Sequence, residues 1–142
     1  MKIFLDANVL VSVLNKEYPT FSHSARIISL GDHSRKFKLY TSPMCLAIAF
    51  YFAEKKSNSA LAKQKINILC QHLSIADNTT EGVLKTLENK SIHDFEDGLE
   101  YYAAVKENCD CIITEDKKDF YFSDIEILNC KEFSTKYLLS KT

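Results

Sequence analysis

The sequence predicts an α/β protein in which helices cover both faces of a central, mainly parallel sheet. Short apolar runs alternate along the chain with longer segments whose apolar residues recur at helical spacing. Strands that alternate with helices pair in parallel, and right-handed crossovers place the helices on both faces of the sheet. The chain has 142 residues, of which 46% are hydrophobic, which suits one domain over residues 1–142. The expected architecture is a three-layer α/β/α domain.

The first elements are a strand and two helices. An apolar run over residues 2–5 predicts a buried strand that ends at Asp6, and the apolar pattern over residues 9–14 predicts the helix that follows. Apolar residues at helical spacing over residues 20–30 predict a second helix, which Gly31 is expected to end.

A strong helix start follows the second predicted strand, residues 37–41. Ser42 can accept a hydrogen bond from the first-turn amides, and Pro43 at the first helical position lacks only an N–H that has no partner there. The helix over residues 43–56 is apolar almost all round, which indicates burial on several sides. The remaining predicted elements are a helix capped by Asn58 and reaching Gln71, strand 73–76, helix 79–89, a helix ending near Asn108, strands 111–114 and 125–128, and helix 131–139.

The composition excludes several classes of function. The three glycines lie far apart, so neither a P-loop nor a dinucleotide-binding glycine loop can form. With 18 Lys and Arg against 19 Asp and Glu, the net charge of −1 argues against binding nucleic acid by an overall positive field. The five scattered cysteines, without an apparent export signal or membrane span, favour reduced thiols and a cytoplasmic location.

Acidic residues follow two of the predicted strands. Asp6 ends the first strand, where its simplest role is the N-cap of the next helix. Asp116 and Asp119 come directly after strand 111–114, in a charged run that is also typical of a surface turn. The carboxyl ends of parallel strands meet at one edge, which is where such sheets bind ligands.

A third acidic group belongs to the helix before strand 111–114. Asp94 stands three residues after Ser91, so we expect a start resembling a capping box at Ser91. Asp94 and Asp97 are neighbours on one helical face, whereas Glu96 and Glu100 are expected elsewhere around the helix. The alternative is a solvated face whose first acid interacts favourably with the helix dipole.

Taken together, the three acidic groups predict a site for a divalent cation. Clustered carboxylates repel one another strongly unless a cation lies among them. Oxygen ligands suit Mg²⁺ or Mn²⁺, and no set of Cys and His residues has zinc-binding spacing. Two such ions about 4 Å apart can activate water and stabilise the leaving oxygen in phosphodiester hydrolysis.

Four segments of the chain carry a resemblance to a known family. They are Leu5-Asp6-Ala7-Asn8, then Thr41-Ser42-Pro43 with Leu46-Ala47, then Asp94-Phe95-Glu96-Asp97 with Ala103-Ala104, and Ile113-Thr114 with Lys118-Asp119-Phe120. In order and spacing they resemble the PIN-domain ribonucleases, which include the VapC toxins of bacterial toxin–antitoxin pairs. The resemblance covers nearly the whole chain.

This resemblance implies a Mg²⁺- or Mn²⁺-dependent endoribonuclease with a PIN-like fold and RNA as its substrate. It also implies the toxin of a toxin–antitoxin pair, with an antitoxin partner and a homodimer as further expectations. By position, Asp6, Asp97 and Asp119 match the metal-binding acids, and Asp116 helps to position water or a second ion. The matching supporting residues are Asn8, Thr114 and Asp94, the last of which either supports the site or only starts its helix.

One departure from the family pattern keeps a second function open. The family usually carries a Glu on the third helix, and here that position is Ile48. Glu54 lies six residues further, about 240° around the helix, so it cannot simply substitute. The alternative is a catalytically weakened PIN-like module that binds RNA or a protein partner.

Two other functional hypotheses receive less support from the sequence. A receiver-like phosphoacceptor domain would need an acid after a central strand, and Asp77 has no convincing Lys partner. A thiol dyad on Cys45 would need a neighbouring His and an oxyanion loop, and neither is evident. Cys109 and Cys111 share one side of a strand and are expected in the core.

Overall fold

A five-stranded sheet forms the centre of the computed structural model, which describes residues 1–139 with the side chain of His33 excepted. The strands are β1 Lys2–Leu5, β2 Lys38–Thr41, β3 Ser74–Ile75, β4 Cys111–Ile113 and β5 Glu126–Leu128. Their order across the sheet is β3-β2-β1-β4-β5, and every neighbouring pair is parallel. The predicted α/β fold with a parallel sheet is confirmed.

Helices connect and flank these strands. Within the described residues they are α1 Ala7–Leu14, α2 Thr20–His33, α3 Pro43–Lys56, α4 Ser59–Cys70, α5 Thr80–Glu88, α6 Phe95–Lys106 and α7 Cys130–Phe133. A 3₁₀ turn, Lys117–Phe120, follows β4, and a π-helical turn, Ser134–Leu138, continues α7. No helix among residues 1–139 is long and apolar enough to cross a membrane.

The central strand, β1, is covered on both faces. Ile3, Phe4 and Leu5 are consecutive in β1 and each has 0% of its surface exposed. Because consecutive strand residues point to opposite faces, both faces of β1 must be packed against helices. The core therefore continues from one helical layer through the sheet to the other.

The chain reverses its direction across the sheet beside β1. It moves outward from β1 through β2 to β3, and then crosses back to β4 on the other side of β1. Leu5 is paired with Ile113, so the residues that follow β1 and β4 leave the sheet side by side. In α/β proteins a crevice forms at this topological switch point, at the carboxyl ends of the strands.

The starts of α3, α4 and α5 lie where the sequence predicts them. Ser42 accepts a hydrogen bond from Cys45 N at 3.2 Å, and Pro43 is the first residue of α3. Asn58 caps α4 through Leu61 N at 2.9 Å, and Thr79 caps α5. These caps satisfy amides that have no partner inside the helix.

Gly31 does not end α2, which continues to His33. Gly31 lies against the backbone of His72, where a Cβ would lie only 2.3 Å from the carbonyl oxygen of His72. Gly31 thus permits close packing of α2 against the segment before β3.

The predicted start of the sixth helix at Ser91 is also wrong. The helix α6 begins at Phe95, and Asp94 is its N-cap, accepting a hydrogen bond from Asp97 N at 3.2 Å. A complete capping box starts α7 instead, where Asn129 and Glu132 each accept the other's backbone N–H. The expected helix over residues 131–139 is therefore α7 with its π-helical continuation.

Candidate functional site

An acidic cleft of about 420 Å³ opens at the switch point of the sheet. Thirteen residues line it, eight of them are Asp or Glu, and none is Lys, Arg or His. The eight acids of this acidic cleft are Asp6, Glu17, Asp94, Glu96, Asp97, Glu100, Asp116 and Asp119. The five predicted acids, which come from β1, α6 and the segment after β4, therefore lie around one space.

Asp6 lies at the floor of the cleft, directly after β1. It is only 7% exposed, and its Oδ1 accepts a hydrogen bond from Ala7 N at 2.6 Å. Its Oδ2 accepts a hydrogen bond from the Thr114 hydroxyl at 2.7 Å. Asp6 is thus the N-cap of α1, as the simplest interpretation held, and also a fixed carboxylate of the cleft.

Thr114 and Asn8 connect the two strand ends. The Thr114 hydroxyl, which donates to Asp6, accepts hydrogen bonds from Asp116 N at 3.0 Å and from Asn8 Nδ2 at 3.2 Å. Asn8 Nδ2 also lies 3.2 Å from Asp116 Oδ2, and Asn8 Oδ1 accepts a hydrogen bond from Glu115 N. This network orients Asp6 and Asp116 and leaves their charges uncompensated.

Asp119 reaches the cleft from the 3₁₀ turn after β4. Its backbone N–H donates to the Asp116 carbonyl at 3.0 Å, which sets the spacing of the two acids. Partial burial raises the pKa of Asp119, and the negative charges of Asp116 and Asp6 raise it further. The charged run after β4 is therefore part of a shared acidic site as well as a turn.

Asp97 projects from the first turn of α6 toward the same acids. Desolvation by burial is the largest cause that raises its pKa to about 7, and the charges of Asp94 and Asp119 add to the effect. Among the residues that the structure describes, no cationic side chain lines the cleft to offset these repulsions. A carboxylate in such surroundings favours either a proton or a metal cation.

Glu100 is a buried acid of the site that the sequence analysis missed; the exposed Glu96, also expected elsewhere around the helix, and Glu17 line the cleft as well. It lies three residues after Asp97 on α6, where it lines the cleft, and it is only 2% exposed. The Cys45 thiol donates to Glu100 Oε1 at 3.0 Å, while Oε2 is buried with no hydrogen-bond donor among the described residues. Burial raises the pKa of Glu100 well above its usual range, and the charge of Asp6 raises it further.

The spacing of α6 contained the signal for Glu100. Residues three apart on a helix share a face, so Glu100 follows from Asp97 in the same way that Asp97 follows from Asp94. The expectation that Glu100 lies elsewhere around the helix was wrong, because Asp97 and Glu100 are both helical residues of α6 and their spacing of three places them on one face.

The structure shows where Ile48 lies, the residue at which the sequence differs from the family pattern. Ile48 lines the cleft as a half-buried apolar residue of α3, one helical turn after Cys45. Glu54 is exposed and is not among the lining residues. The helix α3 therefore contributes a thiol and an alkyl group, but no carboxylate, to this site.

The other candidate sites have simpler explanations in the structure. Cys109 and Cys111 are buried in the core, where burial raises the pKa of each to about 12. Asp77 follows β3, which is an edge strand and not the central strand that a receiver domain would use. No His among the described side chains lines the cleft beside Cys45, so these residues form no thiol dyad.

The donors of the cleft fit a divalent cation. Ligand atoms of Asp6, Cys45 and Glu100 all lie within 4.8 Å of one another. Asp97 and Asp119 line the same space but do not belong to this group among the described residues. Most of these donors are carboxylate oxygens, the ligands that Mg²⁺ and Mn²⁺ prefer. The unpartnered Glu100 Oε2 is a buried acceptor of the kind that a cation satisfies.

Comparison with known proteins agrees with this fold. The family model of the PIN domain matches residues 2–118. The chain therefore belongs to the PIN-domain family, and the resemblance noted in the sequence is confirmed.

A curated relative and several solved structures extend the match. The chain is 31% identical over 140 residues to "Ribonuclease VapC1" of Aquifex aeolicus (strain VF5), covering 96% of this chain and 95% of that protein. The fold matches VapBC2 of Rickettsia felis, solved with a DNA fragment from its promoter, with a TM-score of 0.70 and 20% identity over 91% of this chain and 98% of that chain.

Two further structures share the fold. VapBC-1 of nontypeable Haemophilus influenzae matches with a TM-score of 0.68 and 18% identity, over 92% of this chain and 99% of that chain. VapC20 of Mycobacterium tuberculosis is described as a toxin that cleaves the sarcin–ricin loop. It matches with a TM-score of 0.65 and 14% identity, over 87% of this chain and 98% of that chain.

Proposed function

We propose that the protein is an endoribonuclease that hydrolyses RNA phosphodiester bonds with Mg²⁺ or Mn²⁺. The observation that carries the proposal is the acidic cleft, whose carboxylates come from separate elements and meet without a compensating cationic side chain. Membership of the PIN-domain family and a 31% identical relative named as a ribonuclease support the same conclusion.

In this proposal Asp6, Asp97 and Asp119 hold the metal. A divalent ion bound there supplies a Lewis acid that lowers the pKa of water and stabilises the leaving oxygen. Asp116 orients the attacking water or holds a second ion. The polar side chains of Asn8 and Thr114 keep Asp6 and Asp116 in place, and Asp94 fixes the first turn of α6 on which Asp97 lies.

The charge of the site explains why an RNA nuclease need not be a basic protein. A cleft with eight acids would repel a phosphate backbone, whereas divalent cations held by these acids would offset part of that charge and could accept phosphate oxygens as ligands. Lys118 lies on the 3₁₀ turn beside Asp119, where it can contact phosphates outside the cleft.

We further propose that the protein is the toxin of a toxin–antitoxin pair. Its fold matches VapBC structures from two organisms, and its curated relative is a VapC protein. An antitoxin partner and a homodimer follow as proposals. We also propose that residues 1–142 form a single domain. A cytoplasmic location is proposed as well, because the five free thiols stay reduced there. An adjacent small gene for a DNA-binding protein would support the pairing.

A weakened module that binds RNA or a protein remains the second candidate. The observation that favours it is Ile48, an alkyl side chain in the cleft where the family usually has a carboxylate. This candidate predicts RNA or protein binding without cleavage and with little affinity for Mn²⁺.

Metal titration and RNA cleavage separate these two candidates. The nuclease proposal predicts that the purified protein binds Mn²⁺ in calorimetry and cleaves single-stranded RNA, and that Asp6→Asn loses both properties. Asp77→Asn is the matched control, because Asp77 is exposed and lies outside the cleft. A wild-type protein that neither binds Mn²⁺ nor cleaves RNA would overturn the nuclease proposal, as would Asp6→Asn cleaving RNA like the wild type.

A further inference from the structure

We propose that Glu100 is a direct ligand of the divalent ion and supplies from α6 the carboxylate that α3 lacks. The inference rests on the proposed metal-dependent function and assigns one more residue to that site. It identifies Cys45 as a positioning residue that orients the Glu100 carboxylate through its thiol.

The helices α3 and α6 meet where this carboxylate lies. Cys45 and Ile48 are three residues apart on α3 and therefore share a face. Cys45 contacts Glu100 Oε1 at 3.0 Å, and Ile48 and Glu100 both line the cleft. Glu100 thus occupies the space in front of the face of α3 that carries Ile48.

The orientation of Glu100 points to a ligand. Its Oε1 is held by the thiol, whereas Oε2 is buried without a hydrogen-bond donor among residues 1–139. The carboxylate of Asp6 is a close neighbour, since its ligand oxygen lies within 4.8 Å of that of Glu100. Two buried carboxylates at this separation are both stabilised by a cation that contacts each of them.

A purely structural role would not require the negative charge of Glu100. Gln has nearly the same size, and its side-chain oxygen can still accept the hydrogen bond from Cys45. Glu100→Gln therefore tests the charge and leaves the packing of α3 against α6 largely unchanged. If Glu100 only fills space, this variant should bind Mn²⁺ as the wild type does.

The main experiment is Mn²⁺ titration calorimetry of the full chain. We expect Glu100→Gln to weaken Mn²⁺ binding by about tenfold or more. Glu54→Gln is the matched control, since it removes an exposed Glu of α3 outside the cleft and should leave the affinity unchanged. Unchanged affinity in Glu100→Gln, together with loss of binding in Asp6→Asn, would overturn the inference but leave the proposed function intact. Equal binding by Asp6→Asn and wild type would instead overturn the proposed metal site.

A double variant tests whether a carboxylate at position 48 can replace the carboxylate at position 100. Ile48→Glu combined with Glu100→Gln moves the carboxylate from α6 to α3, and we expect it to recover most of the Mn²⁺ affinity that Glu100→Gln loses. A double variant that binds no better than Glu100→Gln would show that Glu100 does not replace a carboxylate of α3.

A measurement on the wild type covers the case in which Glu100→Gln does not fold. Crystals of the unmodified protein soaked in Mn²⁺ locate the ion by its anomalous scattering. We expect the ion within about 2.1–2.6 Å of a Glu100 oxygen, a coordination distance. An ion held by Asp97 and Asp119 but out of contact with Glu100 would overturn the inference.

Discussion

The hydroxyl of Thr114 donates a 2.7 Å hydrogen bond to Asp6 Oδ2, and 108 positions of sequence separate the two residues. Parallel pairing of Leu5 with Ile113 places them next to each other at the end of the sheet. Thr114 is completely buried, so no water can replace its hydroxyl there. The orientation of a central carboxylate therefore depends on the Ala7 amide and on one side chain that follows the neighbouring strand.

Replacing Thr114 should weaken the site without unfolding the protein. Thr114→Val keeps the shape of the side chain but removes the hydroxyl that orients Asp6, so we expect Mn²⁺ affinity and RNA cleavage to fall about tenfold to a hundredfold. Thr114→Ser keeps the hydroxyl and serves as the control. Calorimetry and a single-stranded RNA cleavage assay measure both effects, and a Thr114→Val variant with wild-type affinity would contradict this role.

The acids at the strand ends could be predicted because local sequence determines their positions. Asp6 directly follows an apolar run, and Asp116 and Asp119 directly follow another, so the rule for parallel sheets places them at one edge. The exact pairing of strands was not needed for this conclusion. The family resemblance then assigned these residues their expected roles.

Glu100 and the start of α6 could not be predicted in the same way. Ser91 and Asp94 are both competent N-caps, and the choice between them determines whether Asp94 is a residue of the helix or its cap. Whether that face is turned toward Cys45 depends on how α6 packs against α3, which is a tertiary contact. Gly31 is a similar case, because its role is fixed by the approach of His72.

The metal-free protein should lose stability as the pH rises from about 4 to about 7. Burial and neighbouring charges raise the pKa of Asp97 to about 7 in the folded state, against about 3.9 in the unfolded chain. Between these values the folded state binds more protons, so the free energy of unfolding falls as the pH rises. The loss is complete above the folded-state pKa.

Thermal unfolding in the presence of a chelator measures this dependence. The Tm should be higher at pH 5 than at pH 8, and Asp97→Asn should reduce the difference because it removes one of the acids with a raised pKa. Saturating Mn²⁺ should raise the Tm most at pH 8, where the carboxylates are ionised. An equal pH dependence of the Tm in wild type and Asp97→Asn would contradict the role given to Asp97.

Gly98 should be intolerant of Ala because α5 and α6 approach closely there. A Cβ at Gly98 would lie 2.3 Å from Thr86 Cγ2 and 2.9 Å from Thr86 Oγ1. The Thr86 side chain cannot move aside easily, since it is buried and its hydroxyl donates to the Gly82 carbonyl at 2.8 Å. We expect Gly98→Ala to destabilise the protein by about 1–3 kcal/mol in urea denaturation.

Gly82 on α5 provides the matched control for this substitution. A Cβ there would meet Thr79 Oγ1 at 3.4 Å and Tyr102 Cβ at 3.5 Å, which are ordinary contacts. Because Ala is the better helix former, Gly82→Ala should be neutral or stabilising by up to about 1 kcal/mol. Equal effects of the two substitutions would show that close packing at Gly98 does not limit stability.

Thiol labelling should distinguish Cys70 from the other cysteines. Cys70 is half-buried on α4, whereas Cys45, Cys109, Cys111 and Cys130 are buried. Burial raises the pKa of Cys109 and of Cys111 to about 12, so neither forms a reactive thiolate near neutral pH. We expect 5,5′-dithiobis(2-nitrobenzoate) to label one thiol rapidly in the folded protein and all five after denaturation. Cys70→Ser should abolish the rapid phase, and a rapid phase that persists in this variant would show that a core cysteine is accessible.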